Sequence, residues 1–141
     1  MSDDRLGTTL TRWLQAIVEG EPAVEVMSPG FVYEQHYGNQ EGIYEGEAGM
    51  RRWIQAFWEV WDEAQLEVRE LQGEGDHRLA NFVAIVHAPQ SGITVELRAY
   101  AVASFDADGR LLRVDCFNDA DEARAQFRRG GSRLSGLARE G

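Results

Sequence analysis

Glu34 and His36 stand two residues apart in the stretch F-V-Y-E-Q-H-Y at 31–37. On an extended strand that spacing puts both side chains on one face. A carboxylate beside an imidazole there can work as a base and acid pair, given a pocket that raises the carboxyl pKa toward neutrality. Phe31, Tyr33 and Tyr37 alternate on the opposite face. Two orientations therefore compete: Glu34 and His36 face a cavity, or the aromatic set is buried and the pair points to water. Cys116 is the single cysteine, which rules out an intrachain disulfide and fits a reducing compartment. With no basic neighbour to stabilise a thiolate, it reads as a small buried apolar residue rather than a nucleophile. Asn118, two positions on, either orients a ligand carbonyl or satisfies backbone at a strand end. Metal ligation would need Glu34, His36 and another imidazole, but His87 falls on the other sheet face and His77 in a turn. H-E-x-x-H, paired-cysteine and calcium-loop spacings are all missing, and D-A-D-G at 106–109 reads as a turn. Neither a metal nor a cofactor is expected.

The elements that must position these residues centre on Y-E-G-E-A-G-M-R-R-W-I-Q-A-F-W-E-V-W at 44–61. Met50, Trp53, Ile54, Phe57, Trp58 and Trp61 recur at helical spacing and share one face. Aromatics of this size bury about 150–250 Å² each and need a broad apolar partner. Leu6, Leu10, Trp13, Leu14 and Ile17 form a second helical stripe, closed by Gly20. Pro22 opens a short helix, and Ser28-Pro29-Gly30 is expected to break the chain. Strands are expected at 31–37, 65–72, 78–88, 93–105 and 110–118, with a closing helix at 120–127 capped by Asp119. D-G at 108–109 marks a hairpin.

Pairing Ala88 with Ile93 across the turn at 89–92 puts Phe82, Ala84 and Val86 on one face with Val95, Leu97, Ala99, Ala101 and Ala103. Val114, Cys116 and Asn118 suit the same face. The other carries Asn81, Val83, Ile85, His87, Thr94, Glu96, Arg98 and Tyr100, so one side of the sheet is built for a core. Consecutive alanines on the buried face leave volume. Either Trp53, Phe57 and Trp61 fill it, or it stays open for a small molecule. Val83, Ile85, Arg98, Tyr100 and Phe117 on the mixed face have the composition of an interface between two copies of the chain.

The chain has 141 residues, room for one domain at 1–127 followed by a Gly- and Arg-rich tail at 128–141, expected to be flexible. Its net charge is -10, and every basic residue is arginine. That balance argues against nucleic acid, which needs basic patches. No apolar run approaches a membrane span, and the acidic start lacks an apolar signal region, so a cytoplasmic protein is expected.

The order of elements, with Y-E-G, G-M-R-R-W, S-G before V-E-L, F-D-A-D-G-R-L and N-D-A-D-E-A, resembles the SnoaL-like branch of the nuclear transport factor 2-like superfamily. The likeness covers roughly residues 6–127. It implies an α+β cone-shaped barrel, a strongly bent, mixed and largely antiparallel sheet covered by the N-terminal helices. The superfamily includes polyketide cyclases, ketosteroid isomerases, dehydratases and epoxide hydrolases. By position the resemblance places an isomerase-type general base near Glu34, one oxyanion donor at Trp13 and the second at Ala101, which cannot donate. It implies a homodimer through the outer sheet face. Two readings follow. One is cofactor-independent proton transfer on a hydrophobic carbonyl compound, with Glu34 and His36 catalytic. The other is ligand binding, or a dimeric scaffold, without catalysis. In the first two cases the ligand would touch Trp13, Ile17, Trp53, Phe57, Trp61, Phe82, Ala99, Ala101, Val114, Cys116 and Asn118.

Overall fold

The structure, a computed structural model, describes residues 4–38 and 42–129. Helix α1 (Arg5–Glu19) starts at Asp4, whose carboxylate accepts the Gly7 N–H at 3.0 Å, and ends on Gly20 in the left-handed conformation. That cap needs φ near +89°, which glycine adopts without strain. Leu10, Trp13, Leu14 and Ile17 are buried, as the helical stripe predicts. A single 3-10 turn (Val24–Val26) leads into β1 (Met27–Gln35). The strand runs through Ser28-Pro29-Gly30, where a chain break was expected. Proline cannot donate to the ladder, and the register with the neighbouring strand slips between Met27 and Val32 instead of the chain leaving the sheet.

Strand β2 (Gly42–Glu45) pairs antiparallel with β1 and delivers the chain into α2 (Gly46–Val60). Met50, Trp53, Ile54 and Phe57 are buried. Trp58 is half-buried and donates its indole N–H to Ile17 O at 3.0 Å, tying α2 to the end of α1. Strands β3 (Glu63–Glu74), β4 (His77–Ala88), β5 (Ile93–Phe105) and β6 (Leu111–Phe117) form an antiparallel meander. β6 then pairs in parallel with β1, giving the order β2-β1-β6-β5-β4-β3. The barrel is open, with β2 and β3 at its edges. Register shifts in β1, β3 and β5 are the devices that bend such a sheet.

Ala88 faces Ile93, and the register continues as Ala84–Leu97, Phe82–Ala99 and Ala80–Ala101. The two faces therefore divide as the alternation predicts. The inner face meets α1 and α2 in one apolar core. A second cluster, Leu79, Val102 and Phe117 with Ala123 and Phe127, lies on the outer face. It is covered by α3 (120–129), whose start is capped by Asp119 accepting the Asp121 N–H. Residues 130–141 of the expected flexible tail lie outside the described residues. Part of the surface read as an interface between copies is thus already used: Phe117 and Val83 are buried within the chain, while Ile85 and Arg98 stay exposed. Among the described residues no helix is long and apolar enough to cross a membrane.

Candidate functional site: a cavity between the helices and the inner sheet face

A cavity of about 490 Å³ opens between α1, α2 and the inner face of the sheet. Ile17, Trp53, Phe57 and Trp61 line it from the helical side. Phe82, Ala99 and Cys116 line it from the sheet. These are seven of the positions the sequence proposes for ligand contact, and the small Ala99 beside Phe82 helps leave the space. Neither alternative for the helical stripe holds alone: Met50 and Ile54 pack, while Trp53, Phe57 and Trp61 pack and also wall a space they do not fill.

The remaining proposed positions lie elsewhere. Trp13 is buried in the core against Phe31 and Tyr33, with ring centroids 5.7 and 5.3 Å away, and its indole N–H has no hydrogen-bond partner among the described residues. Ala101 and Val114 are fully buried and do not reach the cavity. Asn118 is exposed beyond the end of β6, where the chain has already left the sheet for α3.

Glu34 and His36 need a larger correction. β1 turns Phe31, Tyr33 and Gln35 inward, so Glu34 points out of the opposite face and His36, just past the strand, joins it there. The cause is apolar area: two aromatic rings gain more from burial than a carboxylate, which would lose its hydration. On the outer face Glu34 pairs with the Arg113 guanidinium. Arg113 also grips Asp115 with Nε–Oδ2 and Nη2–Oδ1 contacts of 2.9 Å each. Hydrogen bonding to Asp115 is the main cause that raises the Arg113 pKa. His36 Nε2 lies 2.9 Å from Asp115 Oδ1, Nδ1 lies 3.9 Å from Glu34, and the ring stacks on Phe117 at 4.4 Å. Glu34, His36 and Asp115 bring ligand atoms within 4.8 Å of one another. The positive charge that satisfies these carboxylates is Arg113. The sheet separates the whole cluster from the cavity.

What stands in the cavity is a neutral hydrogen-bonding group built on Gln35, 6 % exposed. Its Oε1 accepts the Tyr33 hydroxyl at 2.5 Å and the Trp53 indole N–H at 3.1 Å. An indole only donates, so the atom facing it must be the amide oxygen. Nε2 is left to donate to the Tyr37 carbonyl at 3.1 Å, with a second hydrogen to spare. Cys116, opposite Gln35 in the parallel register, adds its thiol beside Tyr33. Burial pushes that thiol up to about 12, against a smaller opposing effect of the Tyr33 hydrogen bond. Burial likewise raises the Tyr33 and Tyr37 phenols. All three groups hold their protons at neutral pH, so the inner end of the cavity donates hydrogen bonds and carries no charge. Gln35 was missed in the sequence because it was not counted with the Phe31–Tyr33 alternation it continues. A lone amide ending an aromatic inward face was the available signal.

The family model described as "SnoaL-like domain" matches residues 10–114. Curated proteins give no match. Solved structures share the fold. A protein from Jannaschia sp. CCS1, named as a SnoaL-like polyketide cyclase, superposes with TM-score 0.67 at 18% identity, covering 80% of this chain and 84% of that one. The epoxide hydrolase/cyclase-like enzyme SalBIII, of pyran ring formation in the polyether salinomycin, gives TM-score 0.65 at 16% identity, with 80% and 89% covered. A nuclear transport factor 2-like protein of unknown function from Burkholderia pseudomallei K96243 gives TM-score 0.70 at 18% identity, with 86% and 95% covered. At such identities the structures speak for the fold, while the family model spans most of the sequence: this chain belongs to the SnoaL-like domain family, with the α+β fold of the nuclear transport factor 2-like superfamily.

Proposed function

We propose that the chain binds an apolar small molecule bearing a carbonyl, held in the cavity with its oxygen at the Gln35–Tyr37 end. The observation that carries this is the convergence of aromatic walls on one uncharged donor group inside a cavity of about 490 Å³. Such a space suits a molecule of several fused or linked rings. Gln35 Nε2 and the Tyr37 hydroxyl are the donors available to the guest oxygen. An anionic ligand finds no cation among the described residues that line the cavity.

Kinship with cyclases supports a second reading, in which the bound compound undergoes proton transfer in a cyclisation, isomerisation or dehydration. The inner end offers neutral hydrogen-bond donors and no carboxylate, so the residues that would serve it are Gln35 and Tyr37, polarising the carbonyl, with Tyr33 holding the Gln35 amide in place. A homodimer through the exposed remainder of the outer face, around Ile85 and Arg98, is proposed alongside, and light scattering checks it as twice the chain mass.

Benzophenone titrated against tryptophan fluorescence tests the binding reading, because Trp53 and Trp61 wall the cavity. Saturable quenching is expected. Ala99→Phe, which fills the floor, should weaken binding by roughly a hundredfold while the protein still melts cooperatively. Equal binding by Ala99→Phe would place the ligand elsewhere. Mass spectrometry of the recovered ligand separates binding from turnover.

A further inference from the structure

The two ends of the cavity differ in charge. The inner end, at Tyr33, Gln35 and Cys116, is buried and neutral. At the mouth, Glu59 is exposed and is the one carboxylate among the described lining residues, which include no arginine or histidine. Glu59 forms no ion pair among the described residues. It also sits in the last turn of α2, which holds no basic residue. A helix C-terminus carries partial negative charge and favours a cation, so a carboxylate there adds to the demand for positive charge instead of meeting it. Trp61, two residues on and partly exposed, lines the cavity as well, and an indole ring attracts cations through its quadrupole. The chain as a whole carries -10 and steers cations toward itself.

We propose that the mouth of the cavity recognises an ammonium group, so that the preferred ligand is an apolar carbonyl compound with a protonated amine at its solvent-facing end. This deepens the binding reading above and rests on it. The carbonyl enters first, toward Gln35. The amine stays at the rim between Glu59, the end of α2 and Trp61. A compound of the same shape with a carboxylate in place of the amine meets repulsion from Glu59 and from the helix end together.

The test uses the full chain and three probes of similar shape: 4-(aminomethyl)benzophenone, benzophenone and 4-benzoylbenzoate, titrated near pH 7. The amine is expected to bind roughly five- to tenfold tighter than benzophenone, the benefit of a rim ion pair with a cation–π contact. The carboxylate is expected to bind several-fold more weakly. In Glu59→Gln the ratio of amine to benzophenone affinity should fall toward one. In Glu122→Gln, an exposed site on α3 with the same change in net charge, the ratio should persist. At about 0.5 M salt the advantage should shrink, because exposed charges are screened. If benzophenone binds and the amine gains nothing, or keeps its gain in Glu59→Gln, the ammonium proposal is overturned while the binding reading stands. If none of the three binds, the cavity is not the site and both fall.

Discussion

The two faces of the sheet on either side of β1 and β6 carry opposite kinds of chemistry. Outward stand Glu34, His36, Arg113 and Asp115, a hydrogen-bonded polar cluster in which each carboxylate already has a partner. Inward, one residue along the same strands, stand Tyr33, Gln35 and Cys116, which are uncharged and open onto a cavity. The charged face looks more like an active site in the sequence, yet its groups are spent on one another. The neutral face has donors to spare and a space to use them in. A single step of strand parity decides which set meets a ligand.

Variants on the two faces should separate in what they change. Gln35→Leu should do most. It removes the acceptor shared by Tyr33 and Trp53, costing about 2–3 kcal/mol in urea unfolding, and it deletes the ligand's donor, so benzophenone affinity should drop roughly tenfold or more. Arg113→Leu should come next, and in stability alone. It strips buried Asp115 of its two-pronged partner at a cost of about 1–3 kcal/mol, less than for a fully buried pair because the guanidinium is half exposed. Benzophenone affinity should stay within about twofold, since the cluster lies across the sheet. An affinity loss in Arg113→Leu as large as that in Gln35→Leu would erase the distinction between the faces.

Cys116→Val probes the inner face by pH. The thiol moves from an ordinary value of 9.0 up to about 12 because the fold excludes its charged form. Between those values the folded chain binds more protons than the unfolded one. Stability should therefore fall as pH rises from about 9, by up to about 1 kcal/mol per pH unit for this group. Melting curves from pH 8 to 11 should show a shallower alkaline decline in Cys116→Val. An unchanged slope would mean that the thiol is not held in its neutral form. The smallest effect is expected from Glu34→Gln, about 1 kcal/mol or less in stability for a partly exposed pair, with unchanged ligand affinity.

The fold was legible in the sequence to a useful depth because its signals are local and repeated. The pairing of Ala88 with Ile93 follows from one turn, and that pairing sorts every residue of β4 and β5 onto a face. Helical spacing likewise placed Trp53 and Phe57 against the sheet. The site was less legible where two patterns conflicted in β1. Glu34 and His36 share a face, as their spacing requires, but spacing cannot say which face is inside. The aromatic rings of Phe31 and Tyr33 held that answer, and Gln35 followed from it. Asn118 failed for another reason. It sits just beyond the last ladder bond of β6, where strand alternation no longer governs direction. Trp13 was placed by family position and Ala101 by the run of small residues on the inner face, yet here both lie within filled core.

Where a ligand settles separates the two faces most directly. A nitrogen-15 NMR titration of the full chain with benzophenone reports both faces at once. The Gln35 side-chain amide and the Trp53 indole N–H should shift and saturate together, while the Arg113 Nε–H stays in place. Saturating shifts confined to Arg113 and the backbone of Glu34 and His36, with Gln35 and Trp53 silent, would contradict binding at the inner face.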